Sequence, residues 1–153
     1  MPVYGKRSTE IKQGLHHLLI AILDEAIKDP PYDFGLHDGH RSLEKQLEYF
    51  KAKKSTIDGI NRRGYHNYLP ALAFDFHCSV KGNTWDNEKK EVDGDPAYLE
   101  EIARHIQEVA KKLVDIKLVW GGDWINFVDA PHIQMPFKFK YMAEKKKLYV
   151  NTN

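Results

Sequence analysis

The sequence predicts an α+β domain, an antiparallel sheet flanked by helices, and three observations lead to that class. Apolar residues recur at helical spacing over three long segments, strand-like runs are scattered among those segments, and no βαβ repeat of the kind that builds a parallel sheet is present. A single domain over residues 1–153 is expected, because this length is near the commonest domain size and can bury well over half of the unfolded surface without cross-links. No linker, internal repeat or low-complexity segment divides it, and no separate second domain is expected.

The elements follow in chain order. Ile11, Leu15, Leu18, Leu19, Ile22, Leu23, Ala26 and Ile27 form one stripe, stopped by Asp29-Pro30-Pro31, so one helix is expected over about residues 8–28. YDFGLHDG reads as a short strand ending in a turn. RSLEKQLEYFKAKK puts Leu43, Leu47 and Phe50 on one face of a second helix, and residues 54–65 read as a loop. In ALAFDFHCSV the period of two places Leu72, Phe74 and Phe76 on one face and Ala71, Ala73, Asp75 and His77 on the other. Residues 81–95 are polar and contain glycine, which predicts a second loop. Asp95-Pro96 offers a cap and a first helical proline for a helix to about residue 114, striped by Leu99, Ile102, Ile106, Val109 and Leu113. IKLVW and PHIQM, separated by a Gly-Gly turn, are the last two strands. The lysine-rich EKKKLYVNTN reads as a solvated end.

Bulk properties exclude several classes of function. The net charge of +1 provides no field to draw the protein to nucleic acid or to an anionic membrane. Cys78 is the only cysteine, so neither an intrachain disulfide nor a cysteine-based zinc site can form. The first residues carry no apolar segment after their basic residues, and no run approaches the roughly 18 apolar residues of a membrane span. An export signal and membrane insertion are therefore not expected.

The polar residues carry the functional signal. Burying Asp75 and His77 in a strand costs several kcal/mol unless each finds a strong partner. Zinc sites that hydrolyse amides use three ligands drawn from His, Asp and Glu, with a further carboxylate to take a proton from water. DAPHIQ supplies Asp129 three residues before His132; with His66 and Asp75 these make two histidines, an aspartate and a spare carboxylate. Spacing alone leaves other readings open, since a strand histidine can be a hydrogen-bonded structural residue and an aspartate in an apolar run can cap a neighbouring loop.

In these segments the chain resembles the zinc peptidases of the phage endolysin and D-alanyl-D-alanine carboxypeptidase group, the M15 peptidases. Their S-x-H, A-x-D and carboxylate-x-x-His motifs read here as Gly64-Tyr65-His66, Ala73-Phe74-Asp75 and Asp129-Ala130-Pro131-His132. DFGLHDGHRSLEKQ resembles their strand followed by G-x-R-[ST]-x-x-x-Q, with Gly39, Arg41, Ser42 and Gln46 in register. WGGDWINFVDAPHIQ resembles their W-G-G-x-W segment, Trp85 falls where they tend to have tryptophan, and the likeness covers roughly residues 10–135. It implies a hedgehog/DD-peptidase-like fold with one Zn2+ on the sheet, held by His66, Asp75 and His132. Asp129 is then the general base, and Arg41 stabilises the oxyanion. There are two departures. Gly64 replaces the usual serine, and the segment from His66 to Asp75 is two residues longer than in the compact motif, with Leu69-Pro70 in the added turn. His77, two residues beyond Asp75, is a rival ligand or an orienting residue; Gln46 and Trp124 are candidates for contact with substrate or ligands.

The resemblance implies hydrolysis of a peptide bond in the peptidoglycan stem peptide. Aspartate rather than glutamate as the base points to L-alanyl-D-glutamate endopeptidases of phage endolysins: monomers made in the host cytoplasm that reach the wall after a holin opens the membrane. The alternatives are a D-Ala-D-Ala or L,D-carboxypeptidase of the same fold, or a non-catalytic zinc module of the hedgehog type. Retention of both Asp129 and Arg41 argues against the last.

Overall fold

A four-stranded antiparallel sheet, a two-stranded hairpin and five α-helices make up the computed structural model, which describes residues 3–149 apart from residues 61, 87 and 90. The sheet strands are β1 (Phe34–Asp38), β2 (Ala73–Cys78), β5 (Val119–Trp120) and β6 (His132–Gln134), in the order β1-β2-β6-β5. A separate hairpin pairs β3 (Thr84–Asp86) with β4 (Glu91–Asp93). The α+β class and the antiparallel sheet flanked by helices are as the sequence predicts.

The helices are α1 (Lys6–Gln13), α2 (His17–Ala26), α3 (Leu43–Lys51), α4 (Ala97–Val114) and α5 (Phe137–Lys145). The alternation read from the sequence places β2 correctly: Phe74 and Phe76 are buried in the core while Asp75 and His77 face the other side. Leu19, Ile22 and Leu23 of α2 and Leu99, Ile102 and Ile106 of α4 complete that core beneath the sheet. Burial of each such side chain contributes about 1.5–3 kcal/mol. Cys78 packs as a small apolar residue, 6% exposed.

Three of the expected elements differ in the structure. The helix expected over residues 8–28 breaks at residues 14–16, because the backbone there pairs with β2's approach: Ala71 N–H donates to Gly14 O and His16 N–H to Ala71 O, both at 2.9 Å. His16 is partly buried, and its Nδ1 caps α2 by accepting from Leu18 N–H at 3.1 Å. His105 of α4 bonds Ala26 O, an orphan carbonyl at the end of α2. The loop expected at residues 81–95 contains the β3–β4 hairpin, with Trp85 opposite Val92. The end expected to be solvated is tied down as far as it is described. Tyr68 Oη–H donates to Glu144 at 2.5 Å, Leu69 N–H to Leu148 O at 2.9 Å, and the Arg63 guanidinium lies 3.5 Å from the Tyr149 ring centroid. Residues 150–153 of that segment lie outside the described residues.

Candidate metal centre and active site

Strand register builds the site. Asp75 of β2 lies directly opposite His132 of β6, and a bulge after Leu36 brings Asp38 of β1 opposite Asp75 on its other side. His66 arrives from the 3-10 turn Tyr65–Asn67, whose lead-in is fixed by Gly64 N–H bonding the Asn67 side chain at 2.7 Å. A row of polar side chains thus crosses three strands on one face, with a histidine set over it. The row floors a cleft of about 420 Å³.

Three donor atoms converge there. His66 Nε2 lies 3.1 Å from His132 Nδ1 and 3.3 Å from Asp75 Oδ1, and His132 Nδ1 lies 3.1 Å from the same oxygen. These are the only three such residues among the described ones close enough to share an ion. The other nitrogen of each ring is already engaged: His66 Nδ1 with Gly39 O at 2.7 Å and His132 Nε2 with Gln134 Oε1 at 2.9 Å. A carbonyl only accepts, so each ring carries its proton away from the triangle, and three lone-pair faces point at one another. Such an arrangement repels itself unless a cation or a proton sits within it. Tetrahedral ligand atoms at about 2.0–2.2 Å from an ion stand about 3.3–3.6 Å apart, a few tenths of an ångström from the observed spacings. The donor set therefore fits a divalent metal.

Electrostatics agree with that geometry. Burial pushes the Asp75 carboxyl up, but the charges and hydrogen bonds of His66 and His132 outweigh it and hold it well below the usual carboxylate range. Burial pulls the His132 imidazole down, and its hydrogen bond and charge interaction with Asp75, helped by Asp129, reverse the sign.

The next layer explains the G-x-R-S-x-x-x-Q motif residue by residue. Arg41 is 8% exposed and held from several sides. Its Nε and Nη2 donate to Asp38 Oδ2 at 3.1 and 2.6 Å, its Nη1 to Gln46 Oε1 at 3.0 Å, and its guanidinium lies 4.4 Å from the Tyr49 ring centroid. Nη2 is also 3.9 Å from Asp75 Oδ2. Three of five N–H groups are thus taken, leaving one on each terminal nitrogen. Ser42 caps α3 by accepting from Lys45 N–H. Gln46, 2% exposed, lines the cleft and donates to Ser55 Oγ and Ile57 O, so it connects Arg41 to the next loop. Gly39 is needed because a Cβ there would come within 2.8 Å of Ile11 in α1.

Asp129 also lines the cleft, and its backbone is fixed at both ends: its N–H donates to Gly121 O at 3.0 Å and its carbonyl accepts from His132 N–H at 3.1 Å. Trp120 Nε1–H donates to Ala130 O at 2.6 Å, and the Trp124 ring stands 5.2 Å from that of His132. His77 lines the cleft too, but it is exposed, opposite Gly35 in the β1–β2 ladder, and outside the donor triangle. Sequence reasoning missed Asp38, Tyr49 and Asn67, whose amide donates to Arg41 O and Gln46 Oε1. A carboxylate three residues before Arg41 was the available signal for Asp38.

An antiparallel sheet carrying a His-Asp-His donor set, with a carboxylate and a buried arginine in the same cleft, defines a metal-dependent hydrolase type of site. The chain belongs to the M15 peptidases: the family model described as D-alanyl-D-alanine carboxypeptidase matches residues 59–135, a span that includes His66, Asp75, Asp129 and His132. It is 34% identical over 143 residues to the peptidoglycan L-alanyl-D-glutamate endopeptidase CwlK of Bacillus subtilis (strain 168), covering 88% of this chain and 77% of that protein. The crystal structure of the Serratia marcescens L-Ala D-Glu endopeptidase ChiX superposes with a TM-score of 0.70 at 25% identity, covering 90% of this chain and 93% of that one.

Proposed function

We propose that this protein is a zinc peptidase that hydrolyses the L-alanyl-D-glutamate bond of the peptidoglycan stem peptide. The observation that carries the reading is the triangle of His66, Asp75 and His132 donors on the floor of a cleft that Asp129 and Arg41 also line. Two relatives named as L-Ala-D-Glu endopeptidases supply the bond.

His66, Asp75 and His132 would hold the ion, and a nitrogen-nitrogen-oxygen set suits zinc. When bound, zinc polarises a carbonyl and lowers the pKa of water from about 16 toward 7. Asp129 accepts the water's proton on its carboxylate and returns it to the leaving amine. The free N–H groups of Arg41 meet negative charge developing on the carbonyl oxygen, while Asp38 and Tyr49 keep the guanidinium from turning away. Trp124, packed on His132, shields the ligand from water.

We attach a finer reading: a monomeric endolysin whose access to the wall depends on a holin. It is supported by aspartate rather than glutamate at position 129. Lysis on co-expression with a holin, and its absence without one, is the result expected.

The chemistry is tested by digesting purified peptidoglycan with the zinc-loaded protein and identifying fragments by mass spectrometry. New N-terminal D-glutamate is expected; released D-alanine with no new D-glutamate terminus would replace this reading with carboxypeptidase action. Asp129→Asn keeps the shape and removes the base, so turnover should fall by a factor on the order of 10² to 10⁴ with zinc content unchanged. Parent turnover in that variant would remove Asp129 from the mechanism.

A further inference from the structure

We propose that Lys54 forms a carboxylate-binding subsite on the wall of the cleft, taking a free carboxylate of the substrate on the C-terminal side of the cut. The proposal rests on the L-alanyl-D-glutamate reading above for the identity of its ligand. Three cations surround the ring of Tyr49: Arg41 at 4.4 Å from its centroid, Lys45 at 5.3 Å and Lys54 at 5.8 Å. Two have their charge answered, Arg41 by Asp38 at 2.6 Å and Lys45 by Glu48 at 3.7 Å. Lys54 has no carboxylate partner among the described residues, and it lines the same cleft as the donor triangle.

The backbone holds Lys54 in that place. Lys53 adopts a left-handed conformation, φ 60°, at the end of α3, a state that costs a non-glycine residue about 1–2 kcal/mol. That turn folds the chain back so that Lys54 N–H donates to Tyr49 O at 2.8 Å. The segment beyond is pinned by Gln46, whose side-chain N–H groups bond Ser55 Oγ at 2.9 Å and Ile57 O at 2.6 Å while its oxygen accepts from Arg41. Lys54 is thus fixed at the backbone to α3, the helix that carries Tyr49, with its stem against that aromatic ring.

The chemistry of the substrate identifies the ligand. On the N-terminal side of an L-Ala–D-Glu bond the residue has an uncharged methyl side chain. Glutamate is a dicarboxylic acid, and only one carboxyl continues the chain. The other is free on the C-terminal side of the cut, as is the terminal carboxylate of a short peptide. Of the carboxylates lining the cleft, Asp38 is paired with Arg41, Asp75 belongs to the donor triangle and Asp129 is the proposed base, none of them within ion-pair distance of Lys54, so the Lys54 charge complements an incoming acid.

The test compares three synthetic tripeptides with zinc-loaded parent, Lys54→Met and Lys54→Arg. One peptide is L-Ala-γ-D-Glu-L-Lys, the second has the free carboxyl of D-Glu as its amide, and the third has the C-terminal carboxyl as its amide. The parent should favour the acid over the matching amide by about tenfold in kcat/KM, the effect residing in KM. Lys54→Met should bring the acid down to the amide's value, and Lys54→Arg should keep most of the preference. Whichever amide reproduces the loss identifies which carboxylate is bound. A preference that persists undiminished in Lys54→Met, with parental zinc content and melting temperature, overturns the subsite and leaves the L-Ala–D-Glu reading intact. Failure of the parent to cut any L-Ala–D-Glu bond while releasing D-alanine from D-Ala-terminated peptides overturns both.

Discussion

Substituting Gly121 with alanine should separate metal binding from turnover. A Cβ built on Gly121 would stand 2.3 Å from the carbonyl oxygen of Asp129. Carbon and oxygen atoms approach comfortably to about 3.3 Å, so the Asp129 backbone must retreat by about 1 Å. That carbonyl accepts from His132 N–H at 3.1 Å and the Asp129 N–H donates to Gly121 O at 3.0 Å, so displacement strains both bonds. The donor triangle shares only that His132 bond with the perturbed turn and has further anchors in the Asp75–His132 register and the Gly39–His66 hydrogen bond. The shift should therefore fall mainly on the Asp129 carboxylate.

A misplacement of about 1 Å in a catalytic group can reduce rate about 100-fold, and overpacking of this kind destabilises by about 1–3 kcal/mol. For a chain of this length that stability change is a fall of roughly 2–12 °C in melting temperature. Zinc stoichiometry, thermal unfolding and turnover on purified peptidoglycan should be measured on the same preparation, well below the variant's melting temperature. Near-parental zinc with a rate lower by about two orders of magnitude is expected. Full turnover in Gly121→Ala would show that Asp129 need not occupy the position seen here, and loss of zinc would show that the triangle depends on the same contact.

Metal removal and pH give two further tests. At a free ion concentration about 1,000 times Kd the ion stabilises the fold by about 4 kcal/mol, so chelation should lower the melting temperature by roughly 8–16 °C, and His132→Ala should show no response to the ion; if His77→Ala abolishes the response while Asp75→Ala keeps it, the donor set is wrong. His16 is held below the usual histidine range, first by burial and then by the charge of His17, and only its neutral ring can accept from Leu18 N–H. Because the unfolded chain then binds more protons, this contribution is fully present above about pH 6.5 and is lost as pH falls through the folded value. His16→Asn retains an acceptor that does not titrate, so its melting temperature should fall less than the parent's between pH 7.5 and 5; equal acid sensitivity would exclude His16 as a source.

Local signals made much of the architecture legible. The period of two in Ala73–Cys78 and the stripe from Leu99 on α4 each report a single buried face, which is a property of neighbouring residues in the chain. The proposed ligands were legible because motifs preserve spacing around them. What stayed hidden depends on partners distant in sequence. Nothing near Gly14 announces that Ala71 will pair there and end α1. The β3–β4 hairpin is built largely from polar residues, and in α5 the alternation Phe137-Lys138-Phe139-Lys140-Tyr141 has a strand-like period that masks a helix. Asp38 reaches Arg41 and Asp75 only because of the bulge in β1, and a single irregular residue in a ladder leaves no periodic trace.

That bulge also clarifies the charge arrangement. It brings Asp38 opposite Asp75, and like charges directly opposite on neighbouring strands destabilise a sheet. Arg41 answers the conflict from one side, bonded to Asp38 and 3.9 Å from the far oxygen of Asp75. The near oxygen of Asp75 faces the two histidine nitrogens, where the proposed ion would answer it from the other side. Arginine and the proposed ion would thus stabilise one carboxylate through its two oxygens, coupling the guanidinium to the donor triangle without direct contact. Register makes this arrangement nearly all-or-none. A slip of one residue in β2 would turn Asp75 into the core and bring Phe74 or Phe76 to the cleft, so the hydrophobic pattern that folds the sheet is also what holds the catalytic face in place.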